Sequence, residues 1–297
     1  MVTEIYKKVK YVLWIILFAN LGVAMLKIVI GTIIKSASMT ADGFHSLTDG
    51  SSNIVGLIGI QFASKPVDED HPYGHRKFET LAGLFIAGML FFIGGKIIFD
   101  AIGRFIIPVT PSITMESLII LLATLFINIF VSTYEYKKGK QLRSQILLSD
   151  SLHTRSDIYV SIGVLITLIC IKLGVPPMID PIASLLVACF VLHAAYEIFK
   201  DNSNVLVDKA AVNTEKIKNI ALSFEQVKDT QNIRSRGSEN DLYIDMHLMI
   251  EPDMSVEESH KLIHNIEEKI RTEISENVQV MAHMEPFEVK SKLEQEE

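Results

Sequence analysis

The sequence predicts an α-helical membrane protein in which six transmembrane helices precede a small cytoplasmic α+β domain. Of its 297 residues, 49% are hydrophobic, and they cluster in long blocks that soluble domains seldom contain. After about Asp201 the blocks give way to short alternating segments and amphipathic stretches, which are typical of a compact α+β domain. The predicted division is a transmembrane domain over 1–200, a second domain over 201–290 and a charged, disordered tail over 291–297.

Each apolar block is long enough to cross about 30 Å of hydrocarbon as a helix. The predicted spans are approximately 11–34, 38–62, 78–100, 113–134, 149–171 and 181–199. The first block exceeds a signal-peptide core and is followed by no small-residue cleavage pattern, so we expect it to remain in the mature protein. Both cysteines, Cys170 and Cys189, lie inside spans, which argues against a disulfide framework.

The distribution of lysine and arginine predicts the orientation of the chain. The N-terminus and the loops after the second and fourth spans contain ten basic residues, whereas the opposite loops contain three. The ten are Lys7, Lys8, Lys10, Lys65, Arg76, Lys77, Lys137, Lys138, Lys140 and Arg143, and the three are Lys35, Arg104 and Lys172. Because cytoplasmic loops carry the excess of basic residues, both termini are predicted to be cytoplasmic. The short termini and the lack of a targeting segment indicate a prokaryotic inner membrane.

The last third of the chain predicts the element order α-β-β-α-β, as in ferredoxin-like or metallochaperone-like domains. Residues 214–224 have an amphipathic helical pattern, and residues 227–236 and 241–250 alternate like strands. Ser255 and Glu258 are spaced as a capping box for a helix that ends at about Ile274. Residues 278–284 then predict a third strand.

Two of the predicted spans contain the same ionisable pair. His45 and Asp49 in the second span, and His153 and Asp157 in the fifth, are four residues apart and so share a helix face. A carboxylate near the bilayer centre costs about 2.5–3.5 kcal/mol, so it persists only with a partner or a purpose. Two imidazoles and two carboxylates suit a four-coordinate divalent metal such as Zn²⁺. A merely structural network is disfavoured because the spacing repeats.

A further aspartate precedes each pair by about one helical turn. These residues are Asp42 and Asp150. Each one either lines an aqueous approach to the paired residues or is a helix-end carboxylate without a role, and the sequence leaves both interpretations open.

The six spans, the paired His-x-x-x-Asp motifs and the α-β-β-α-β domain together resemble the cation diffusion facilitator family. The resemblance covers about residues 10–290, and the loop sequence Asp68-x-x-His71-x-x-x-His75 adds to it. It implies a homodimeric exporter of divalent transition metals that is coupled to inward proton movement. It also implies a tetrahedral transport site near the membrane midplane, formed by the paired residues, and a regulatory or dimerising role for the second domain.

The resemblance favours Zn²⁺ as the substrate, since the His-Asp/His-Asp set is similar to the zinc-preferring branch of the family. A site of this kind would also accept Co²⁺ or Fe²⁺, and Cd²⁺ and Mn²⁺ are further candidates. Metal binding requires neutral imidazole, so loading expels any proton held by the histidines. This competition predicts exchange of metal for protons by alternating access.

The resemblance also implies secondary sites. Asp68, His71 and His75 are similar to a second metal site on the cytoplasmic face, although a solvated charged loop is the alternative. A larger set in the second domain resembles positions that bridge metals across the dimer, namely His247, His260, His283 and Glu285. Two departures weaken that likeness: Gln231 stands where those members have histidine, and Glu285 replaces an aspartate. Lys77 and Asp208 resemble a charge pair at the dimer interface.

Other classes of protein fit the sequence less well. An intramembrane metalloprotease would need a motif such as His-Glu-x-x-His, which is absent, and we predict no enzymatic activity. A channel is disfavoured because a tight four-ligand site would hold metal too long for rapid conduction. A membrane metal sensor that transports nothing remains a rival. The net charge of −7 arises in the acidic last third, and no nucleic-acid partner is predicted.

Overall fold

The computed structural model describes residues 2–33, 50–106, 115–175, 178–238 and 241–287. The chain divides into two units, Met1–Ser203 and Asn204–Glu297. The described part of the first unit is built from six helices, the last of which ends just beyond the boundary. These are α1 (Val2–Ile33), α2 (Ser51–Ala63), α3 (Lys77–Ile106), α4 (Met115–Leu142), α5 (Gln145–Lys172) and α6 (Ile179–Leu206).

Four helices in the described ranges are long and apolar enough to cross a membrane: Glu4–Leu26, Lys77–Ile106, Leu118–Leu142 and Pro181–Leu206. The apolar helix α2 has 13 residues, and the earlier part of its predicted span lies outside the described residues. Helix α5 has 28 residues but carries many polar side chains in its first half. The helical membrane architecture is therefore confirmed, whereas the count of six spans remains a prediction.

Several helices extend beyond the predicted spans, among them α1 at its start and α6 at its end. Helix α4 continues to Leu142 through the predicted basic loop that begins at Lys137, and α3 continues to Ile106. Hydropathy marks where a span leaves the hydrocarbon, but a helix continues until its backbone hydrogen bonding is broken. After α4 the break comes at Arg143, whose φ is +51°, and the chain turns directly into α5.

Small residues let the helices of the first unit approach closely. A Cβ added at Gly59 of α2 would collide with the Cβ of Ala82 on α3 and would lie 3.1 Å from Ile146 Cδ1 on α5. The surrounding core is apolar and includes Leu13, Ile16, Ile60, Ile86, Leu90, Ile146 and Leu147. This packing gathers α1, α2 and α3 around the first half of α5.

The second unit has the predicted element order, α7 (Thr214–Leu222), β1 (Val227–Ser238), β2 (Asp241–Ile250), α8 (Val256–Glu273) and β3 (Val278–Pro286). The sheet order is β1-β2-β3, with β1 antiparallel and β3 parallel to β2. Alternate residues of the central strand are buried, among them Ile244, Met246 and Leu248, and they pack with Ile266 of α8. The sheet thereby has one face covered by helices.

The start of α8 has the predicted capping box. The Glu258 N–H donates to Ser255 Oγ over 3.2 Å, and the Ser255 N–H donates to Glu258 Oε2 over 2.9 Å. These bonds satisfy backbone donors that a helix start leaves without partners. Asn213 similarly caps α7 by accepting from the Glu215 N–H.

Candidate metal centres

His153 lies on α5 in the interior of the first unit. Its side chain is only 2% exposed, and neither ring nitrogen has a hydrogen-bond partner in the described part of the chain. Burying an unsatisfied polar group costs free energy, so such a group usually has a structural partner or a ligand. Asp157, one turn further along α5, is half-buried. The described half of the predicted transport site therefore offers one buried and one half-buried side chain of metal-ligand type.

The other half of that site, His45 and Asp49, lies outside the described residues, as does Asp42. Helix α2, whose first residue Ser51 follows Asp49 closely in the sequence, packs against α5.

A chain of polar side chains crosses the helices close to His153. Asn20 of α1 donates to Asn53 Oδ1 of α2 over 2.8 Å, and the Asn53 amide donates to Asp150 Oδ2 of α5. One turn further along α5, Thr154 Oγ1 donates to Glu135 Oε2 of α4 over 3.3 Å. Asn53, Asp150 and Glu135 are each 1% exposed or less, so four helices share one buried polar layer.

Glu79 of α3 fixes the beginning of α5. Its Oε1 accepts from Ser144 Oγ over 2.5 Å and from the Ile146 N–H over 3.2 Å. A carboxylate at this place satisfies a free backbone donor and complements the positive end of the helix dipole. The contact ties α3 to the helix that positions His153.

The loop between α2 and α3 holds a compact cluster of metal-ligand type. One atom each from Asp68, His71 and His75 lies within 4.8 Å of the others, and no other group of three such side chains does so among the described residues. Asp68 Oδ1 accepts from the His71 N–H over 2.7 Å and lies 3.1 Å from His71 Nδ1. Asp68 Oδ2 lies 3.3 Å from His75 Nε2.

The protonation of this cluster is set by its neighbours. His75 is 5% exposed, and its Nδ1 lies 3.0 Å from the carbonyl oxygen of Pro66, which can only accept. The Nδ1 therefore donates to Pro66, and this bond orients the ring so that Nε2 lies on the side of Asp68. Desolvation acts to raise the pKa of Asp68, but the hydrogen bonds from His71 and the nearby imidazoles outweigh it and lower that pKa. The cluster thus offers a carboxylate and two imidazoles for a divalent metal.

The second unit brings together three of its four predicted ligands. His247 on β2 and His283 on β3 are register partners, and their ring centroids are 5.1 Å apart. Glu285 Oε1 lies 2.8 Å from His247 Nδ1 and 3.9 Å from His283 Nε2. His260 lies apart from them on α8, where its Nε2 is 3.2 Å from His264 Nε2. Gln231, which pairs with His247 in the sheet, turns its amide to the sulfur of Met249.

The predicted charge pair has one member in each unit. Lys77 begins α3, and Asp208 follows α6 with φ of +54° and an Arg236 nitrogen 3.7 Å away. Their pairing stays a prediction.

The partners within the buried polar layer are not predicted by the sequence. Asn20, Asn53 and Glu135 were visible as polar residues within apolar spans, which is itself a sign of function or of interhelical bonding. The pairing of Asn53 with Asp150 was not visible, because it joins residues 97 positions apart.

A helical membrane unit with buried imidazole and carboxylate side chains, joined to a small α+β domain, defines the class of membrane proteins that handle metal cations. The chain belongs to the cation efflux family, the cation diffusion facilitators. Residues 13–207 match the cation efflux transmembrane domain, and residues 210–287 match the cytoplasmic domain of cation efflux proteins. The family resemblance is therefore confirmed.

Several relatives are similar over most of this chain. An uncharacterized transporter of Methanocaldococcus jannaschii is 32% identical, over 88% of this chain and 92% of its own. The manganese efflux system protein MneS of Bacillus subtilis is 28% identical, over 92% of this chain and 93% of its own. Metal tolerance protein C1 of Arabidopsis thaliana is 29% identical, over 91% of this chain and 61% of its own. The three names give transport, manganese efflux and metal tolerance, and only one of them specifies a metal.

Proposed function

We propose that this protein exports divalent transition-metal ions from the cytoplasm and exchanges them for protons by alternating access. The observation that carries the proposal is the buried imidazole of His153, whose two ring nitrogens have no partner within the described ranges. Neutral imidazole is a ligand for transition metals, and protonated imidazole is not. A proton and a metal ion therefore compete for the same nitrogen.

His153 and Asp157 would form the transport site together with His45 and Asp49. Their two nitrogens and two carboxylates would complete a four-coordinate site between α2 and α5. The packing of α2 against α5 supports this assignment, since both pairs would then lie on neighbouring helices. A relative movement of these two helices would be enough to expose the site to either side.

Zn²⁺ is the metal that we assign first. A set of two imidazoles and two carboxylates with tetrahedral geometry suits Zn²⁺, whereas carboxylate-rich oxygen sites suit Mn²⁺. The manganese efflux relative keeps Mn²⁺ as the principal alternative, followed by Fe²⁺, Co²⁺ and Cd²⁺.

The proposal extends to two accessory metal sites and to the oligomeric state. Asp68, His71 and His75 would bind metal at the cytoplasmic face, near where it enters. His247, His283 and Glu285 would bind regulatory metal in the second domain. His260 would join this site when two copies of the chain associate. The family's cytoplasmic domain supports a homodimer, with Lys77 and Asp208 as a candidate interface pair and both termini in the cytoplasm.

Metal flux into proteoliposomes tests this function. The purified protein would be reconstituted with a metal-sensitive dye inside the vesicles, and Zn²⁺, Mn²⁺, Fe²⁺, Co²⁺ and Cd²⁺ would be added outside, with and without an acidic interior. We expect uptake of Zn²⁺ to be fastest and to rise with the pH gradient. A sensor that does not transport would bind metal and move none, and uptake that is indifferent to the gradient would exclude proton exchange.

A further inference from the structure

Glu135 of α4 and Asp150 of α5 form a buried pair of neighbouring carboxyl groups. Both side chains are 0% exposed, and they lie within hydrogen-bonding reach of one another. Each has one oxygen held by a neutral donor: Thr154 donates to Glu135 Oε2, and the Asn53 amide donates to Asp150 Oδ2. The remaining oxygens, Glu135 Oε1 and Asp150 Oδ1, have no hydrogen-bond partner in the described ranges.

Within the described ranges, the hydrogen-bond partners of the two carboxyl groups include no positively charged side chain. Among the described residues, no lysine, arginine or histidine forms an ion pair with either group. The helices packed around the pair contribute the neutral Asn20 and Asn53 from α1 and α2, and Asn202 from α6, which bonds to Ser149. From α3 comes Glu79, which is engaged at the start of α5.

The ionisable neighbours on α5 itself are also accounted for. Arg155 lies over the ring of Tyr136, with 4.5 Å between its guanidinium carbon and the ring centroid. His153 and Asp157 follow Asp150 by one and two turns, and His153 is not hydrogen-bonded to either carboxyl group. Two ionised carboxylates in contact, both removed from water, repel one another strongly. A single proton between them converts that repulsion into a hydrogen bond, because one carboxyl then donates and the other accepts.

Along α4 and α5, Glu135 and Asp150 lie between the level of His153 and the turn that joins the two helices. Glu135 is seven residues before the end of α4, and Asp150 is five residues after the start of α5. At 1.5 Å per residue, both are therefore about 7–11 Å from the turn that joins the two helices. His153 is three residues further along α5, deeper in the helix.

We infer that Glu135 and Asp150 form a proton-binding site, separate from the metal ligands, which holds one exchangeable proton next to the transport site. In the metal-free protein one O–H of the pair donates to the other carboxylate. When metal loads, its positive charge favours the ionised pair, the O–H bond breaks, and the proton leaves to water at the near end of the bundle. The reverse step rebinds a proton after the metal has left. This inference rests on the proposed exchange function for its coupling, but not for the proton itself.

Infrared difference spectroscopy of the purified full-length protein in lipid tests the inference directly. A protonated carboxyl group has a C=O stretching band that an ionised one lacks. We expect the wild type to show this band at neutral pH and to lose it on addition of Zn²⁺ or Mn²⁺. Glu135→Gln and Asp150→Asn, which keep the shape of each side chain, should each remove the band. The matched control Glu197→Gln changes an exposed carboxyl of α6 and should leave it unchanged.

Transport then separates this inference from the proposed function. In proteoliposomes, Glu135→Gln should keep downhill metal uptake but lose its stimulation by a pH gradient. If the wild type moves no metal but retains a band that Glu135→Gln and Asp150→Asn remove, the proposed function fails and the proton site stands. A wild type without the band, or a band that survives both substitutions, overturns the inference. A band that metal does not affect overturns the coupling.

Discussion

The buried imidazole of His153 is the strongest sign of a metal site at the scale of single residues. It sits among apolar helices with both nitrogens free of partners in the described part of the chain, although such burial costs about 1–3 kcal/mol for each unsatisfied group. A buried histidine retained for packing alone would be expected to hydrogen-bond to a neighbouring group. The free nitrogens are therefore best explained by a ligand.

At the loop, we predict that His75→Ala abolishes metal binding by the cluster. The substitution removes a buried ligand whose orientation is fixed by Pro66, and loss of even an outer partner typically lowers metal affinity 10–100-fold. Isothermal titration with Zn²⁺, in a background that carries Asp157→Ala, measures the effect. His193→Ala, which changes an exposed histidine of α6, is the control. Equal affinity in His75→Ala and the control would show that the loop is only a charged surface.

The pH dependence of the loop cluster should come from its histidines and not from Asp68. The pKa of Asp68 is lowered by its hydrogen bonds with His71, so its carboxylate persists below the ordinary value of about 3.9. The stabilisation that Asp68 provides is present above its unfolded pKa and is lost only as pH falls through the lowered one. Zn²⁺ titrations from pH 7 downward should therefore lose affinity through imidazole protonation while the loop stays folded. Loss of binding only at pH values where Asp68 itself protonates would contradict this.

Among the elements, the contact between α2 and α3 gives a sharp prediction. Gly59→Ala should destabilise the membrane unit, because its new Cβ meets the Cβ of Ala82, which has no rotamer to move aside. Overpacking of this kind typically costs about 1–3 kcal/mol. Gly88→Ala on α3 is the matched control, since an added Cβ there meets nothing within 4 Å. Thermal unfolding in detergent should show a lower midpoint for Gly59→Ala alone, and equal midpoints would mean that α2 does not pack as described.

The capping box of α8 gives a second prediction at this scale. Ser255→Ala removes the acceptor for the Glu258 N–H and should cost about 1 kcal/mol of helix stability. Hydrogen exchange of the full-length protein should speed up in the first turns of α8 and not in α7, whose cap at Asn213 is intact. The hydrogen bonds from Ser255 lower the pKa of Glu258, so this stabilisation persists below the ordinary glutamate pKa and disappears as pH falls through the lowered value. Unchanged exchange at neutral pH would show that the box contributes nothing.

The elements also show what could be predicted from the sequence and what could not. Alternation in Leu242–Ile250 and the Ser255–Glu258 spacing are local signals, and both led to the right element. The loop predicted after the fourth span was wrong, because the hydrophobic block ends at about Tyr134 while the helix continues to Leu142. The bonds from Asn53 to Asp150 and from Thr154 to Glu135 depend on helices brought together by packing, which no local pattern reveals.

At the scale of the whole molecule, we predict a homodimer. The match of residues 210–287 to the family's cytoplasmic domain supports this, and Met281 of the edge strand β3 is 72% exposed, an apolar side chain available for burial. Light scattering of the detergent-solubilised protein should give twice the protein mass of one chain. A Met281→Lys substitution should shift the equilibrium toward monomer if this strand contributes. A protein that is monomeric at all concentrations would contradict the prediction.

The most direct test of transport through His153 and Asp157 is metal uptake by proteoliposomes that contain the wild type, His153→Ala, Asp157→Ala or His193→Ala. The wild type and His193→Ala should take up Zn²⁺ at the same rate, since His193 is an exposed histidine of α6. His153→Ala and Asp157→Ala should fall to the rate of protein-free vesicles while their unfolding midpoints stay near that of the wild type. Uptake that survives both substitutions would show that the buried pair is structural and that metal crosses the membrane elsewhere.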